Sequence, residues 1–283
     1  MPRQHITSRH NPRVKEAAKL RLHRQREKQG RFLIDGGREI LRALAAGIEI
    51  VEAFVCEPLC TGADAKLAAE RLFASSAESA TVVPEAFEKL CFGERHDGVI
   101  AVAATPHHRL QDLQLSASPL IAVIEGVEKP GNIGAVLRSA DGAGVDAVIV
   151  VDPQCDLYHA SVIRASLGTL FSLAVREATA DETLAWLKAN HLAVVAARPD
   201  AEKSYADVDY RRGVAIVLGS ESQGLTQRWQ APQVESIRLP MRGAADSLNV
   251  SATAAVLFYE AQRQRSRSQT DQFGIDRNTG SAG

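Results

Sequence analysis

The chain has 283 residues, 45% hydrophobic and 24% charged, the composition of an ordinary globular protein with length enough for two domains. No apolar run approaches the roughly 20 residues that cross a bilayer, and the first fifteen residues carry no apolar stretch of a secretory leader. Four cysteines, Cys56, Cys60, Cys91 and Cys155, lack paired metal-ligand spacing, which points to a reducing cytoplasm and to no metal centre.

The net charge of −1 conceals an asymmetry: residues 1–31 hold ten lysines and arginines against Glu16 and Glu27, so this segment carries +8 and the remainder −9. A cationic arm of this kind neutralises phosphates and gives salt-dependent affinity for nucleic acid. A solvated basic helix with no polyanion partner is the plainer alternative. Asn11 and Pro12 read as a helix cap and first turn, and Gly30 as its terminator. One helix is therefore expected over 12–29, with Val14, Ala17, Ala18 and Leu22 inward. Its other face is nearly all basic and includes Arg13, Arg21, Arg24, Arg26 and Lys28.

Beyond it come a strand over 32–36, a helix over 38–46, a strand over 50–56 and a helix over 63–73. A short strand 81–83, a helix opened by Pro84 and a strand over 98–104 complete a small α/β domain, 1–105. Residues 106–119 are polar and proline-bounded, a linker. From Leu120 six apolar runs (120–127, 145–152, 171–175, 191–197, 213–220 and 234–240) alternate with helical segments, the mark of a parallel sheet covered on both faces. Ligands in such sheets gather at the carboxyl ends of the strands. Residues 265–283 read as a flexible tail.

Three of these strand ends carry polar motifs. The first runs from Glu125 through Gly131, Asn132 and Gly134 into a helix over 135–143 that bears Arg138; it is not the G-x-G-x-x-G of a dinucleotide site. Gly131 and Gly134 would let the backbone turn and a ligand approach. Asn132 as a turn former and Arg138 as a surface residue is the ordinary reading. The second, 216–225, presents Glu221 between Gly219 and Gly224, or is only a glycine turn. In the third, 239–257, Asp246 or Ser247 caps a helix whose apolar stripe includes Leu248 and Val256. Asn249 breaks that stripe, and a buried amide there needs a ligand or the two preceding loops as its partner.

In combination and order, the three motifs resemble the SpoU/TrmH family of S-adenosylmethionine-dependent RNA ribose 2′-O-methyltransferases, within the SPOUT superfamily, over residues 120–264. The first 105 residues look like the substrate-binding domain of its ribosomal-RNA members. The resemblance implies an α/β fold: a C-terminal parallel-sheet domain with a deep trefoil knot, preceded by a small α/β RNA-binding domain. It implies a pocket for S-adenosylmethionine at Leu218, Gly219, Leu239, Met241 and Leu248, and functional polar residues at Asn132, Arg138, Glu221, Ser247 and Asn249. It also implies RNA as partner, ribosomal RNA with transfer RNA as the alternative, with the basic helix on its phosphates, and a homodimer in the cytoplasm, off the membrane. Ser251-Ala252-Thr253 departs from the family's usual serine-valine-alanine in a packing stretch.

A guanidinium holds its proton in proteins, so Arg138 is expected to position phosphate and charge rather than act as base. Two rivals are a catalytically silent RNA-binding protein and a nicotinamide-dependent oxidoreductase; the second fails on the missing fingerprint. Cys155 with His159, and His107 with His108, are expected to carry no chemistry.

Overall fold

The computed structural model describes residues 4–75, 77–93 and 96–275. They divide into two compact units. The first comprises the chain to His107 with Ile133–Ala135 and Cys155–Ser172; the second takes His108–Asn132, Val136–Gln154 and the chain from Leu173.

In the first unit, strands β1 (Gln4–Ile6), β2 (Arg31–Asp35), β3 (Ile50–Val55), β4 (Glu78–Val82) and β5 (Val99–Ala104) form a sheet in the order β1-β4-β3-β5-β2. β5 runs antiparallel to both its neighbours, and the other pairings are parallel. Its helices are α1 (Pro12–Lys19), α2 (His23–Gln29), α3 (Gly37–Ala45), α4 (Ala63–Ala74) and α5 (Pro84–Phe87).

The single helix expected over 12–29 is thus two. Leu20 turns into the core at 2% exposure while Leu22, expected inward, is extended and 63% exposed. The break rotates Arg26 inward to 6% exposure, where it donates to Asp156 Oδ2 (2.5 Å) and to the carbonyls of Leu20 and Arg21 (2.8 and 2.9 Å). Arg13 is likewise engaged, by Glu52, by Gln4 Oε1 (2.7 Å) and by the Glu78 carbonyl (2.9 Å). Both arginines, expected outward on RNA phosphates, hold the unit together instead. Aromatic packing brings in the segment Cys155–Ser172: the Phe32 ring lies 4.5 Å from that of Tyr158 and 6.0 Å from that of Phe171. Arg164 adds an ion pair to the buried Asp35 (3.1 Å).

In the second unit, β6 (Leu120–Glu125), β7 (Ala147–Val151), β8 (Ala174–Ala178), β9 (Ala193–Ala197), β10 (Lys203–Ser204), β11 (Val214–Leu218) and β12 (Val234–Arg238) are all parallel. Their order is β10-β12-β9-β11-β6-β7-β8. Every residue of β6, β7 and β11 is buried, as continuous apolar strands require. β11 enters between β6 and β9, and β12 between β9 and β10, each slotting beside strands laid down earlier. The helices that follow β5 in the chain are α6 (Pro130–Ala143), α7 (Ala160–Ala165), α8 (Thr169–Ser172), α9 (Ala180–Ala189) and α10 (Val250–Ile275). The apolar run 171–175 splits: Phe171 belongs to α8, and the strand begins at Ala174.

α10 continues through the stretch whose polar composition suggested a flexible tail; of that tail, 276–283 lie outside the described residues. Arg265 anchors the helix by donating to the carbonyls of Ser118, Pro119, Tyr210 and Arg212 at 2.7–3.2 Å. Among the described residues no helix is long and apolar enough to cross a membrane.

Burial pushes the Asp156 carboxyl up, but hydrogen bonds and charge from Arg26, helped by the Tyr158 N–H and His23, outweigh it and hold the group below its ordinary 3.8. A depressed carboxyl contributes stability that is present above its unfolded value and lost as pH falls through the folded one. Asp156→Asn should therefore lower stability at pH 7 by about 1–3 kcal/mol and flatten the acid loss below pH about 4. Urea unfolding of both proteins at neutral and acid pH checks this; parallel acid losses would contradict it.

Candidate functional site

The carboxyl ends of β6, β9, β11 and β12 bring four loops to one edge of the sheet. After β6, Pro130 starts α6 at once, because its fixed φ suits the first helical position. The helix was expected only from Ala135. Asn132 consequently sits in the first turn, and Arg138 lies more than two turns in rather than one. Arg138 is exposed and makes no side-chain hydrogen bond or ion pair among the described residues. Gly134 serves helix packing, not ligand approach: a Cβ there would lie 2.6 Å from Ala165 Cβ and 2.7 Å from the Val162 carbonyl oxygen. At Gly131 a Cβ would meet nothing within 4 Å.

After β11 the chain pinches. Ser220 and Gly224 exchange backbone hydrogen bonds of 3.2 and 3.0 Å, and a Cβ on Gly219 would lie 2.3 Å from the Gly224 carbonyl carbon. The pinch raises Glu221 at its tip. Asn249 then draws the motifs together from the start of α10. Its Nδ2 donates to Glu221 Oε1 and to Asn132 Oδ1 (3.4 Å), while its Oδ1 accepts from Ser251 N (2.9 Å) and Ser251 Oγ (2.6 Å). Lys129 Nζ stands 3.6 Å from Glu221 Oε2. Asn132 Nδ2 is buried without a hydrogen-bond partner among the described residues.

Beside this cluster lies a cavity of about 200 Å³. Leu218, Gly219, Leu239, Met241 and Leu248 line it, all five of the residues expected to hold the methyl donor, and Glu221, Asp246 and Ser247 give it an acidic, polar rim. Leu248 is 40% exposed at its mouth. Ser247 therefore belongs to the cavity, whereas Asn132 and Asn249 form the polar cluster next to it. Ala197, Arg198 and Pro199, which also line the cavity, escaped the sequence reading; their signal was the end of the apolar run 191–197, on the same sheet edge.

Among the described residues no group of histidine, cysteine and acidic side chains is arranged for a metal, and all four cysteines are free thiols. His159 caps α7, its Nδ1 accepting from Ser161 N (3.1 Å). Of the five basic residues expected on RNA, Arg21, Arg24 and Lys28 are exposed on and just before α2 without a side-chain hydrogen bond or ion pair among the described residues.

Residues 119–259, which contain all three motifs, match the SpoU rRNA Methylase family, and residues 11–101 match the MRM3-like substrate binding domain. The chain is 30% identical over 276 residues to the 23S rRNA (uridine(2479)-2'-O)-methyltransferase of Streptomyces viridochromogenes, covering 94% of each protein. The chain belongs to the SpoU rRNA methylase family. Another member, a 23S rRNA (guanosine-2'-O-)-methyltransferase of Bordetella pertussis, is 35% identical over 190 residues, 65% of this chain and 77% of that protein. A crystal structure of an RNA 2'-O ribose methyltransferase superposes with a TM-score of 0.80 at 44% identity, covering 93% of this chain and 99% of that one. The SpoU methyltransferase AviRb of Streptomyces viridochromogenes, solved with AdoMet, superposes at 0.82 with 27% identity over 90% of this chain and 98% of its own.

The two glycine environments in this SpoU-family site separate cleanly. Gly219→Ala forces backbone apart and should cost about 1–3 kcal/mol, lowering Tm by several degrees. Gly131→Ala, in open space inside a helix, should be neutral or stabilising by up to about 1 kcal/mol. Calorimetric melting of the two variants checks the contrast.

Proposed function

We propose that this SpoU-family chain transfers a methyl group from S-adenosylmethionine to a ribose 2′-hydroxyl of ribosomal RNA, acting in the cytoplasm as a homodimer. The observation that carries the reading is the Asn249 amide, which holds Glu221 and Asn132 together at the rim of an apolar cavity. The cavity suits the donor: its leucine and methionine walls fit an adenine ring, and its acidic rim favours a cation. The exposed Leu248 is a side chain that a ligand would cover. When bound, the donor supplies a methyl group on a positively charged sulfur.

The chain's own residues then have to bind, orient and move one proton. A ribose hydroxyl is a poor nucleophile until its proton is drawn away. Glu221, oriented by Asn249 and Lys129, presents a carboxylate oxygen to that hydroxyl and takes the proton. Asn132 Nδ2, buried and without a partner among the described residues, is a donor that the ribose would satisfy once the site opens to RNA. Arg138, always protonated, clamps the adjacent phosphate and steadies developing alkoxide charge.

Arg138 stands about 9 Å along the helix axis from Asn132, and in the homodimer it would serve the site of the other copy. It shares a face of α6 with Gly142 one turn on, and Gly142 lies against Tyr259 of α10: a Cβ there would sit 2.9 Å from the Tyr259 hydroxyl. Tyr259 and Val256 are 50% and 37% exposed. A second copy covering this face would bury Val256 and Tyr259, which supports the homodimer. The strand insertions of β11 and β12 support the knotted threading expected of the fold. RNA phosphates beyond the target are held by Arg21, Arg24 and Lys28.

Methyl transfer is measured with labelled S-adenosylmethionine and ribosomal RNA, and label in the RNA is the expected result. Arg138→Ala should cut transfer by about 10²-fold or more while donor affinity by calorimetry stays within a few-fold; transfer near the wild-type rate would remove Arg138 from the mechanism. Replacing Arg21, Arg24 and Lys28 together with glutamine should reduce the log–log salt slope of RNA binding by about 2–3. Donor affinity should not change, and an unaltered slope would take α2 out of the RNA interface.

A further inference from the structure

The carboxylate of Glu125 has no part in the reading above and forms no ion pair among the described residues, yet it is buried at 3% exposure where β6 ends. One oxygen accepts the backbone N–H of Thr226 (2.8 Å) and the other its hydroxyl (2.9 Å). A buried anion needs its lone pairs satisfied, and here a single residue from the loop after the neighbouring strand supplies both donors. Thr226 closes the loop after β11, the loop that carries Glu221 and, in Gly219 and Gly224, part of the cavity wall.

The Ser220–Gly224 pinch fixes the shape of that loop but not its place over the sheet, because a closed loop still moves as a body. Past Thr226, the wholly buried Trp229 holds the turn that follows. Nearer the tip, the ties are Ser222 Oγ to Glu128 (2.8 Å) and Lys129 to Glu221 (3.6 Å). Both join exposed side chains and are individually weak in water. The Glu125–Thr226 pair, buried at its carboxylate end, is the less exposed tie between the loops after β6 and β11, which bring Asn132 and Glu221 to the same amide.

We propose that Glu125 and Thr226 are positioning residues for methyl transfer: their paired hydrogen bonds set the loop after β11 so that Glu221 meets the acceptor hydroxyl. The assignment rests on the function proposed above. Displacing reacting groups by about 1 Å can lower a rate by about 10²-fold. Thr226→Val removes the hydroxyl donor at nearly constant size, and Thr226→Ser keeps it.

In the full-length protein with S-adenosylmethionine and ribosomal RNA, Thr226→Val should lower kcat by about 10–100-fold. KM for RNA and donor Kd should remain within a few-fold, and Thr226→Ser should restore most of the rate. Glu125→Gln, which keeps one acceptor oxygen and loses the charge, should fall between them and provides the test if the valine variant does not fold. Wild-type protein that transfers no methyl overturns the functional reading and this assignment together. Wild type that transfers while Thr226→Val keeps its kcat, or while Thr226→Ser is as slow as Thr226→Val, overturns the assignment alone, as does a Thr226→Val whose only change is a lower Tm.

Discussion

Parallel alignment of all seven strands in the second sheet is the constraint from which the site follows. Because neighbouring strands point the same way, every loop that leaves a strand emerges on one edge, and the helices return the chain to the other. Loops separated by about ninety residues, such as those after β6 and β11, become neighbours without any long excursion of their own. The inner strands can have no polar side to present to water, which is why β7 and β11, and β6 up to its last residue, are apolar. Polar chemistry is confined to the strand ends, where Glu125 closes one such run.

At that edge the polar groups organise one another. A primary amide can donate and accept at once, and Asn249 does both: its oxygen starts α10 through Ser251, and its nitrogen reaches the carboxylate and the second amide. The residue that begins the last helix therefore also determines where Glu221 points. The cavity alongside is walled by leucine and methionine side chains and is polar only at its rim, and the two environments meet along the short stretch from Gly219 to Glu221.

Much of this was legible in the sequence, and the losses have identifiable causes. Continuous apolar runs disclosed the parallel sheet, and Asn249 drew notice as the one amide interrupting an apolar stripe. The edge strands β1 and β10 are three and two residues long, too short for any periodicity. The basic helix misled because 12–29 contains neither glycine nor an internal proline to mark the break at Leu20–Leu22. Only burial of Leu20 forces it, and burial then withdraws Arg26 from the surface. Positive charge in a sequence does not distinguish an arginine that meets solvent from one that meets Asp156. Arg138 was misplaced by reading Gly134 as part of a loop, when the glycine lets α6 approach α7.

Arg265 gives the last helix a second fixed point. Asn249 stands at the carboxyl edge of the sheet, while the carbonyls gripped by Arg265 belong to the segments that enter β6 and β11 at the opposite edge. The intervening helix, about 24 Å long, behaves as a ruler laid across the strands. Deleting or adding a residue anywhere along it would turn one end by about 100° relative to the other. Its length should then be invariant even where its surface is free to vary, and tolerance of substitution without tolerance of insertion is the evolutionary signature such a gauge would leave.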